Sequence, residues 1–118
     1  MNIGVFGLQA EDKAARHLKK QGFSIIERNF QSRFGEIDII GENNEYIIFV
    51  EVKGRSEKSI AEPKEFVDLK KQRKIIKTAE IYLSQNPTEK QPRFDVVEVK
   101  KQNGKTEVCH IPAAYEVE

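Results

Sequence analysis

The sequence is poor in the residues on which several common classes of protein depend. Its 118 residues include one cysteine, Cys109, four prolines and no tryptophan. A single cysteine excludes an internal disulfide framework and a zinc site built from several cysteines, and it is typical of a reducing compartment. A chain of this length can bury a sizeable core without such links, so we expect one domain over residues 1–118.

Long apolar runs and a large net charge are also absent. No stretch approaches the about 18 apolar residues that span a bilayer, and no basic segment followed by an apolar run opens the chain, so we expect no signal peptide. Charged residues make up 33% of the sequence, but the net charge is +1. This balance argues against a strongly basic nucleic-acid protein and leaves room for a local basic face. We therefore expect a cytoplasmic protein without a membrane partner.

Hydrophobic periodicity and turn residues predict the element order α-β-β-β-α-β-β. Helices are expected over residues 6–21, ending before Gly22, and over residues 63–85, opened by a proline. Strands are expected over residues 23–30, 35–41, 46–53, 93–100 and 106–111. Pro112 is expected to end the last strand, with residues 113–118 irregular. Because the second helix connects the third strand to the fourth, these two strands should be parallel, in a mixed sheet flanked by helices.

Four charged residues lie inside segments that otherwise have the pattern of buried strands. They are Glu36, Asp38, Glu51 and Lys53. Side chains alternate along a strand, so Glu36 and Asp38 share one face of the second strand, and Glu51 and Lys53 share one face of the third. Carboxylates are unfavourable in such places unless something compensates their charge.

The turn between these two strands decides whether the acids meet. A two-residue turn at positions 43–44 sets Glu36 opposite Glu51, and one at positions 44–45 sets Asp38 opposite Glu51. A three-residue turn separates the acids unless a bulge restores the alternation. Two of the three simple registers therefore gather the acids on one face.

A further carboxylate lies on the apolar stripe of the first helix. Leu8, Glu11, Ala15 and Leu18 recur at helical spacing, so they form one stripe. An acid on the inward face of a helix needs a partner. If this helix packs on the face that bears the strand acids, Glu11 joins them.

A hard divalent cation is the simplest compensation for acids held this close together. Carboxylates within about 4–5 Å repel by a few kcal/mol per pair at an effective dielectric near 20. Oxygen ligands suit Mg²⁺ or Mn²⁺, and Lys53 could then hold a phosphate, stabilise developing charge or orient a water. The alternative is an ordinary solvated hairpin in which Glu51 and Lys53 make weak ion pairs.

Other charged residues support two interpretations each. The second helix carries a basic face, which is either solvated surface or a grip for phosphates; its residues are Lys70, Lys71, Arg73, Lys74 and Lys77. Asp95 lies among apolar residues and is expected to be a structural acid paired with Arg93 or Arg55, or a group that supports the site. His17 and His110 lack metal-ligand spacing.

Five segments of the chain, in order, resemble the YraN-like family of small bacterial proteins. They are GLQAE (7–11), RNF (28–30), GEIDII (35–40), FVEVKGR (49–55) and RFDVV (93–97). That family is similar to the PD-(D/E)xK nuclease superfamily, and especially to archaeal Holliday junction resolvases. The resemblance implies an α/β fold with a restriction-endonuclease-like αβββαβ core.

The resemblance also implies roles for single residues. Asp38 matches the metal-binding aspartate of the superfamily, and Glu51 and Lys53 match its (D/E)xK pair, with the Val52 carbonyl as a further metal ligand. Glu11 resembles the helix-one glutamate of junction-resolving relatives. The proline in the superfamily's name is replaced here by Ile37, as it is in many members. Glu36 belongs to the family block and would complete the metal shell.

The function that the resemblance implies is a Mg²⁺- or Mn²⁺-dependent endonuclease that hydrolyses DNA, with branched and single-stranded DNA as the substrates to test. Asp38, Glu51 and Lys53 would be catalytic. Lys71 and Arg73 match family positions and, with Arg55, are expected to contact the nucleic acid. Junction-resolving relatives act as dimers, although no patch in this sequence demands one, so a homodimer is one assembly to test. The alternative is a nucleic-acid-binding or adaptor module that keeps the fold without the chemistry.

Overall fold

The computed structural model describes residues 5–55 and 68–117, and side chains from residue 9 onward. The helices are α1 (Val5–Lys20) and α2 (Leu69–Gln85), and the strands are β1 (Ser24–Gln31), β2 (Glu36–Glu42), β3 (Tyr46–Arg55), β4 (Gln91–Gln102) and β5 (Lys105–Tyr115). This is the predicted element order. No helix within the described ranges is long and apolar enough to cross a membrane.

The five strands form one mixed sheet in the order β1-β2-β3-β4-β5. Neighbouring strands are antiparallel except β3 and β4, which are parallel over the whole length of β3. The parallel pair confirms the prediction made from the crossover through α2. The fold is therefore α/β, and its first six elements match a restriction-endonuclease-like αβββαβ core.

Two apolar clusters cover the opposite faces of the sheet. Under α1, the buried Ala14 and Leu18 pack with strand residues that include Ile48 and Val50. Under α2, the other face holds Ile75, Ala79, Tyr82, Phe49 and Phe94, with the rings of Phe49 and Phe94 stacked at 5.5 Å. Each fully buried aliphatic or aromatic side chain contributes about 1.5–3 kcal/mol, so each helix is held by its own apolar stripe.

The turn between β2 and β3 selects one of the predicted registers. The Asn43 side chain accepts hydrogen bonds from the backbone amides of Glu45 and Tyr46, at 2.9 and 2.7 Å. The strands then pair from Glu42–Ile47 to Ile39–Val50. This is the register of a two-residue turn at positions 44–45, which directs Asp38 toward Glu51.

The helix ends agree with the sequence where the structure describes them. Gly22 follows α1 with a φ of +97°, which only glycine adopts without strain. The predicted opening of the second helix at Pro63 lies outside the described residues. Within them, α2 begins after Asp68, whose side chain accepts a hydrogen bond from the backbone amide of Lys71 at 2.8 Å.

The prediction that Pro112 ends the last strand is wrong. The pairing of β4 with β5 shifts register between Phe94 and Val96, and β5 continues through the proline to Tyr115. At this irregularity Ala113 has a φ of +48° and donates its backbone N–H to Asp95 at 3.0 Å. A proline is tolerated here because β5 is an edge strand and the bulge needs no ladder bond from it.

Candidate metal and phosphate site

A cleft of about 520 Å³ opens where β2 and β3 part, beyond the last paired residues of the hairpin. We call this cavity the cleft. It extends from α1 to α2 around the end of the sheet. Its lining residues are Ala10, Glu11, Gln31, Ser32, Gly35, Glu36, Asp38, Glu51, Val52, Gly54 and Lys71. Four carboxylates from three different elements, α1, β2 and β3, therefore share one cavity.

Asp38 lies at the point where the two strands separate. Its side chain accepts a hydrogen bond from the backbone amide of Val52 at 2.7 Å, which replaces a bond of the interrupted ladder. Burial raises the pKa of Asp38 to about 7, and the charge of Glu51 adds to this effect, while the Val52 hydrogen bond opposes it. A carboxylate with such a pKa is one that a nearby cation would stabilise in its charged form.

Glu51 is buried and contacts two ammonium groups. The Nζ atom of Lys71 lies 2.5 Å from its Oε1, and that of Lys53 lies 3.3 Å from the same oxygen. Burial lowers the pKa of Lys53, and the Lys71 ammonium adds to this effect. Burial acts on Lys71 in the same direction, but the hydrogen bond to Glu51 and its charge outweigh it and raise the pKa of Lys71.

Glu11 reaches the cleft from α1, although it is 3% exposed. Its Oε1 accepts hydrogen bonds from Arg28 Nε at 3.0 Å and from Asn29 Nδ2 at 3.1 Å. Asn29 has a φ of +55°, a conformation that asparagine tolerates better than most residues. Two β1 residues therefore compensate this acid on the face opposite α2.

Glu36 is the most accessible of the four acids that line the cleft. Partial burial raises its pKa, and the charges of Glu11 and Glu51 add to the effect. The electrostatic coupling of Glu36 with acids from α1 and β3 means that the carboxylates act on one another across the cleft. Any cation that entered would relieve this repulsion.

The carboxylate oxygens of the cleft suit a hard cation, although the four side chains are not arranged around one common position for an ion. Within residues 5–55 and 68–117, no group of three or more histidine, cysteine, aspartate or glutamate side chains is placed to hold a metal ion. Mg²⁺ is usually bound by one or two carboxylates and several waters. Asp38 and Glu51, with the main chain of Val52 between them at the cleft wall, provide that smaller set.

The structure separates the residues that were predicted to contact DNA. Lys71 lies in the cleft, whereas Arg73 lies on the outer surface of α2, in a different depression. Arg55 is 7% exposed, and its Nε lies 3.7 Å from the buried Glu98. Its guanidinium is therefore directed into the fold, and the structure does not bring it to a surface that a phosphate could reach.

Two residues near the cleft were missed in the sequence. Arg33 and Phe34 come directly before the Gly35-Glu36 pair and lie in the same depression as Arg73. The positions were not singled out because one basic and one aromatic residue in a turn form no recognisable motif. Only the packing of the turn against α2 brings them next to the basic helix face.

Asp95 has a structural environment, as the pairing with Arg93 predicted. It is completely buried and accepts two hydrogen bonds from Arg93, at 2.9 and 2.8 Å, and one contact from His110 Nε2 at 2.7 Å. Burial alone would raise the pKa of Asp95, but the hydrogen bonds from His110, Arg93 and Ala113 lower it overall. This network fixes the bulge of β5 and lies apart from the residues that line the cleft.

Comparison with known proteins identifies the family. Residues 10–99 match the model of a family described as "Uncharacterised protein family UPF0102". A UPF0102 protein of Persephonella marina is 44% identical over 113 residues, covering 95% of this chain and 94% of the relative. One from Syntrophotalea carbinolica is 41% identical over 119 residues, covering 100% and 94%. The chain belongs to the UPF0102 family, which is the YraN family that the sequence motifs indicated.

Proposed function

We propose that this member of the UPF0102 family is a metal-dependent endonuclease that hydrolyses phosphodiester bonds in DNA. The observation that carries the proposal is the cleft, in which Asp38, Glu51, Glu11 and Glu36 converge beside two lysines. Acids whose charges raise the pKa of Asp38 and of Glu36, beside ammonium groups, fit a site for a divalent cation and a phosphate. An ordinary solvated hairpin would not bury Glu51 or couple it to Glu36.

Asp38 and Glu51 would hold Mg²⁺ or Mn²⁺, with the carbonyl of Val52 as a further ligand and Glu11 or Glu36 acting through water. The bound ion would supply a Lewis acid and a more acidic water. Until such an ion binds, the ammonium groups of Lys53 and Lys71 supply the positive charge that Glu51 requires. The same two lysines can then face the non-bridging oxygens of a phosphodiester.

The chain contributes charge stabilisation at the reacting phosphorus. In hydrolysis the water oxygen bonds to phosphorus, the bond from phosphorus to one ester oxygen breaks, and that oxygen leaves as an alcohol after it takes up a proton. Lys53 would stabilise the additional negative charge on the phosphoryl oxygens or orient the attacking water. Burial lowers the pKa of Lys53, so its ammonium group is a more acidic hydrogen-bond donor than that of a solvated lysine.

The proposal includes a substrate and an assembly. Branched and single-stranded DNA are the first substrates to compare with duplex DNA, and the protein would act in the cytoplasm. We propose a homodimer as the working assembly because two cleavage sites would suit a branched substrate. Sedimentation of the protein with and without DNA tests this assembly independently of cleavage.

The test is a cleavage assay with Mg²⁺ or Mn²⁺ on duplex, single-stranded and four-way-junction DNA. We expect cutting that requires the metal and that falls at least about 100-fold in Glu51→Gln and Lys53→Ala. Glu45→Gln and Lys101→Ala are the matched controls, because these side chains are exposed and lie outside the cleft. Absence of cutting above the level of the Glu51 and Lys53 variants on every substrate contradicts the proposal.

A second candidate function is a non-catalytic nucleic-acid-binding or adaptor module. The observation that favours it is the engagement of Glu51 by two lysines and of Glu11 by Arg28 and Asn29, which leaves no open set of three acids within the described ranges. Such a module would bind DNA in a salt-dependent way with the same affinity in Glu51→Gln. Calorimetric titration with Mn²⁺ separates the two, because only the nuclease requires a bound ion that Asp38→Ala removes.

A further inference from the structure

We propose that the protein has a second phosphate-binding site, outside the cleft, that holds the backbone of the nucleic-acid strand next to the cleaved bond. We call it the Phe34 patch. It is a depression of about 370 Å³ lined by Arg33, Phe34, Lys70, Arg73, Lys74 and Lys77. The inference rests on the proposed function for its ligand, a nucleic acid, and it concerns binding rather than cleavage.

The patch arises from the spacing of basic residues on α2. Lys70, Arg73, Lys74 and Lys77 occur at positions i, i+3, i+4 and i+7, so they lie along one face of the helix. All four are exposed, and none takes part in an ion pair identified within the described ranges. Four like charges on one face repel one another, and an anionic ligand would offset that cost.

Phe34 holds two cations of the patch in place. The Cζ atom of Arg33 lies 4.9 Å from the centroid of its ring, and the Nζ atom of Lys77 lies 5.0 Å from it. Cations at such distances are attracted to the ring by about 0.5–1 kcal/mol at exposed sites. A half-buried aromatic ring therefore brings together a guanidinium from the β1–β2 turn and an ammonium from α2. This reduces the loss of side-chain freedom on binding a phosphate.

The turn that carries Arg33 and Phe34 is fixed to α2. The backbone amide of Ser32 donates to the Gly35 carbonyl at 2.8 Å, and the Phe34 amide donates to the Ser32 hydroxyl at 3.0 Å. The same hydroxyl lies 2.8 Å from that of Thr78, which is completely buried and donates to the Lys74 carbonyl in turn. The position of the turn relative to the basic helix face is therefore set by partly buried hydrogen bonds.

The Phe34 patch and the cleft are adjacent. Gly35 lines the cleft, and a Cβ atom added to it would lie 3.4 Å from the Cβ atom of Lys74, which lines the patch. Lys71, which lines the cleft, comes between the patch residues Lys70 and Lys74 in the sequence of α2. Along α2, Lys70 and Lys77 are about 10 Å apart, so the patch is long enough to contact more than one phosphate of a strand. A strand with one phosphate in the cleft can thus continue over the patch.

The occupant is the phosphodiester backbone rather than a base. Arg33 and Lys77 already lie against the Phe34 ring, so the ring serves as a positioning residue for two cations. A base that stacked on Phe34 would have to displace at least one of them. The proposal therefore requires that the patch bind a strand without bases as tightly as one with bases.

The experiment measures binding alone, with Glu51→Gln protein in EDTA and labelled single strands of normal and abasic DNA, by fluorescence anisotropy at several salt concentrations. We expect the Arg33→Ala/Lys77→Ala double variant to make the slope of log affinity against log salt shallower by about 1.4, for two phosphate contacts on a single strand. The control is Lys101→Ala/Lys105→Ala, which removes the same charge from an exposed hairpin distant in sequence and should change the slope little.

Phe34 provides the second readout. Phe34→Leu removes the ring and leaves every charge, so we expect weaker binding of normal and abasic strands alike, by about 3- to 10-fold, while Phe34→Tyr restores the affinity. Loss of affinity for normal DNA only would show base stacking and overturn the backbone clamp. An Arg33/Lys77 double variant indistinguishable from its control, or Glu51→Gln parent protein that binds neither strand at low salt, would overturn the patch. Salt-dependent binding through the patch without cleavage in any assay would contradict the proposed nuclease and leave the patch supported.

Discussion

The carboxylate of Asp38 accepts the backbone N–H of Val52 across the point where β2 and β3 part, at 2.7 Å. This bond carries two consequences. It holds Asp38 beside Glu51 at the end of the hairpin, and it does so in a partly buried place where a negative charge is unfavourable. The convergence of acids in the cleft therefore costs stability, which a bound cation would return.

A first prediction concerns the cost of that charge. The folded pKa of Asp38, about 7, is higher than its ordinary value of 3.8, so the contribution of Asp38 to the stability of metal-free protein falls as pH rises from about 4 to 7 and is constant above. Asp38→Asn removes this penalty and should stabilise metal-free protein at pH 8 by up to about 4 kcal/mol, and by little at pH 4. Urea unfolding in EDTA at both pH values measures the difference. An Asp38→Asn protein that is less stable than wild type at pH 8 would be the opposite result.

A second prediction concerns metal ions and stability. A cation that binds only the folded protein raises stability by an amount that grows with the logarithm of its concentration, about 2.7 kcal/mol at 100 times the dissociation constant. We expect Mn²⁺ to raise the melting temperature of wild type and of Glu45→Gln, and to leave Asp38→Asn and Glu51→Gln unchanged. Equal shifts in all four proteins would show that any bound ion lies elsewhere.

A third prediction separates Glu11 from Asp38. Glu11 is buried with hydrogen bonds from Arg28 and Asn29, so Glu11→Ala should destabilise the protein by about 2 kcal/mol. This is less than the about 3–5 kcal/mol of a fully buried pair, because Arg28 remains more than a third exposed and keeps its contact with Asp12. Thermal unfolding measures it, with the exposed Asp12→Ala as the control, expected to change stability by less than about 1 kcal/mol.

Comparing the two acids gives a directional test. Substitution of Asp38 is expected to stabilise the metal-free protein, and substitution of Glu11 to destabilise it. If both changes destabilise the protein equally at pH 8, both carboxylates stabilise the metal-free fold. Asp38 is then not an uncompensated acid.

A fourth prediction concerns the Asp95 network. Its hydrogen bonds lower the folded pKa of Asp95 below 3.8 in spite of burial, so the stability that it contributes is present above pH 3.8 and is lost as pH falls through the folded pKa. Asp95→Asn should cost about 3 kcal/mol at pH 7, and the difference from wild type should narrow below pH 3.8. Urea unfolding at pH 7 and pH 3 measures it, with the exposed Glu107→Gln as the control. A difference that stays constant with pH would contradict the assignment.

The sequence predicted the features that depend on local patterns. The element order, the stop at Gly22 and the parallel pairing of β3 and β4 each follow from periodicity, from a residue with unusual backbone freedom or from the length of a connection. The register of the β2–β3 hairpin was narrowed to three alternatives, and the side-chain hydrogen bonds of Asn43 decide among them. The prediction that the strand ends at Pro112 was wrong for a long-range reason. At the bulge the buried Asp95 accepts the backbone N–H of Ala113 in place of a ladder bond, so β5 continues past Pro112.

The sequence singled out several residues that the structure brings to the cleft, but it did not indicate the contacts that these residues make. The inward position of Glu11 followed from helix spacing, but its partners Arg28 and Asn29 lie on a different element and left no local signal. Lys71, Arg73 and Arg55 have the same charge, so sequence alone gave them the same role. The fold directs Lys71 into the cleft, Arg73 to the Phe34 patch and Arg55 toward Glu98. Such separation depends on packing, which a pattern of charges does not specify.

The most direct test of the central claim is a crystal soaked in Mn²⁺, with data collected to reveal the anomalous signal of the ion. The account predicts one peak in the cleft, within ligand distance of carboxylate oxygens of both Asp38 and Glu51, with Lys71 moved off Glu51. A cleft without a peak at saturating Mn²⁺, or a peak that contacts neither carboxylate, would contradict the claim that these acids are gathered for a metal ion.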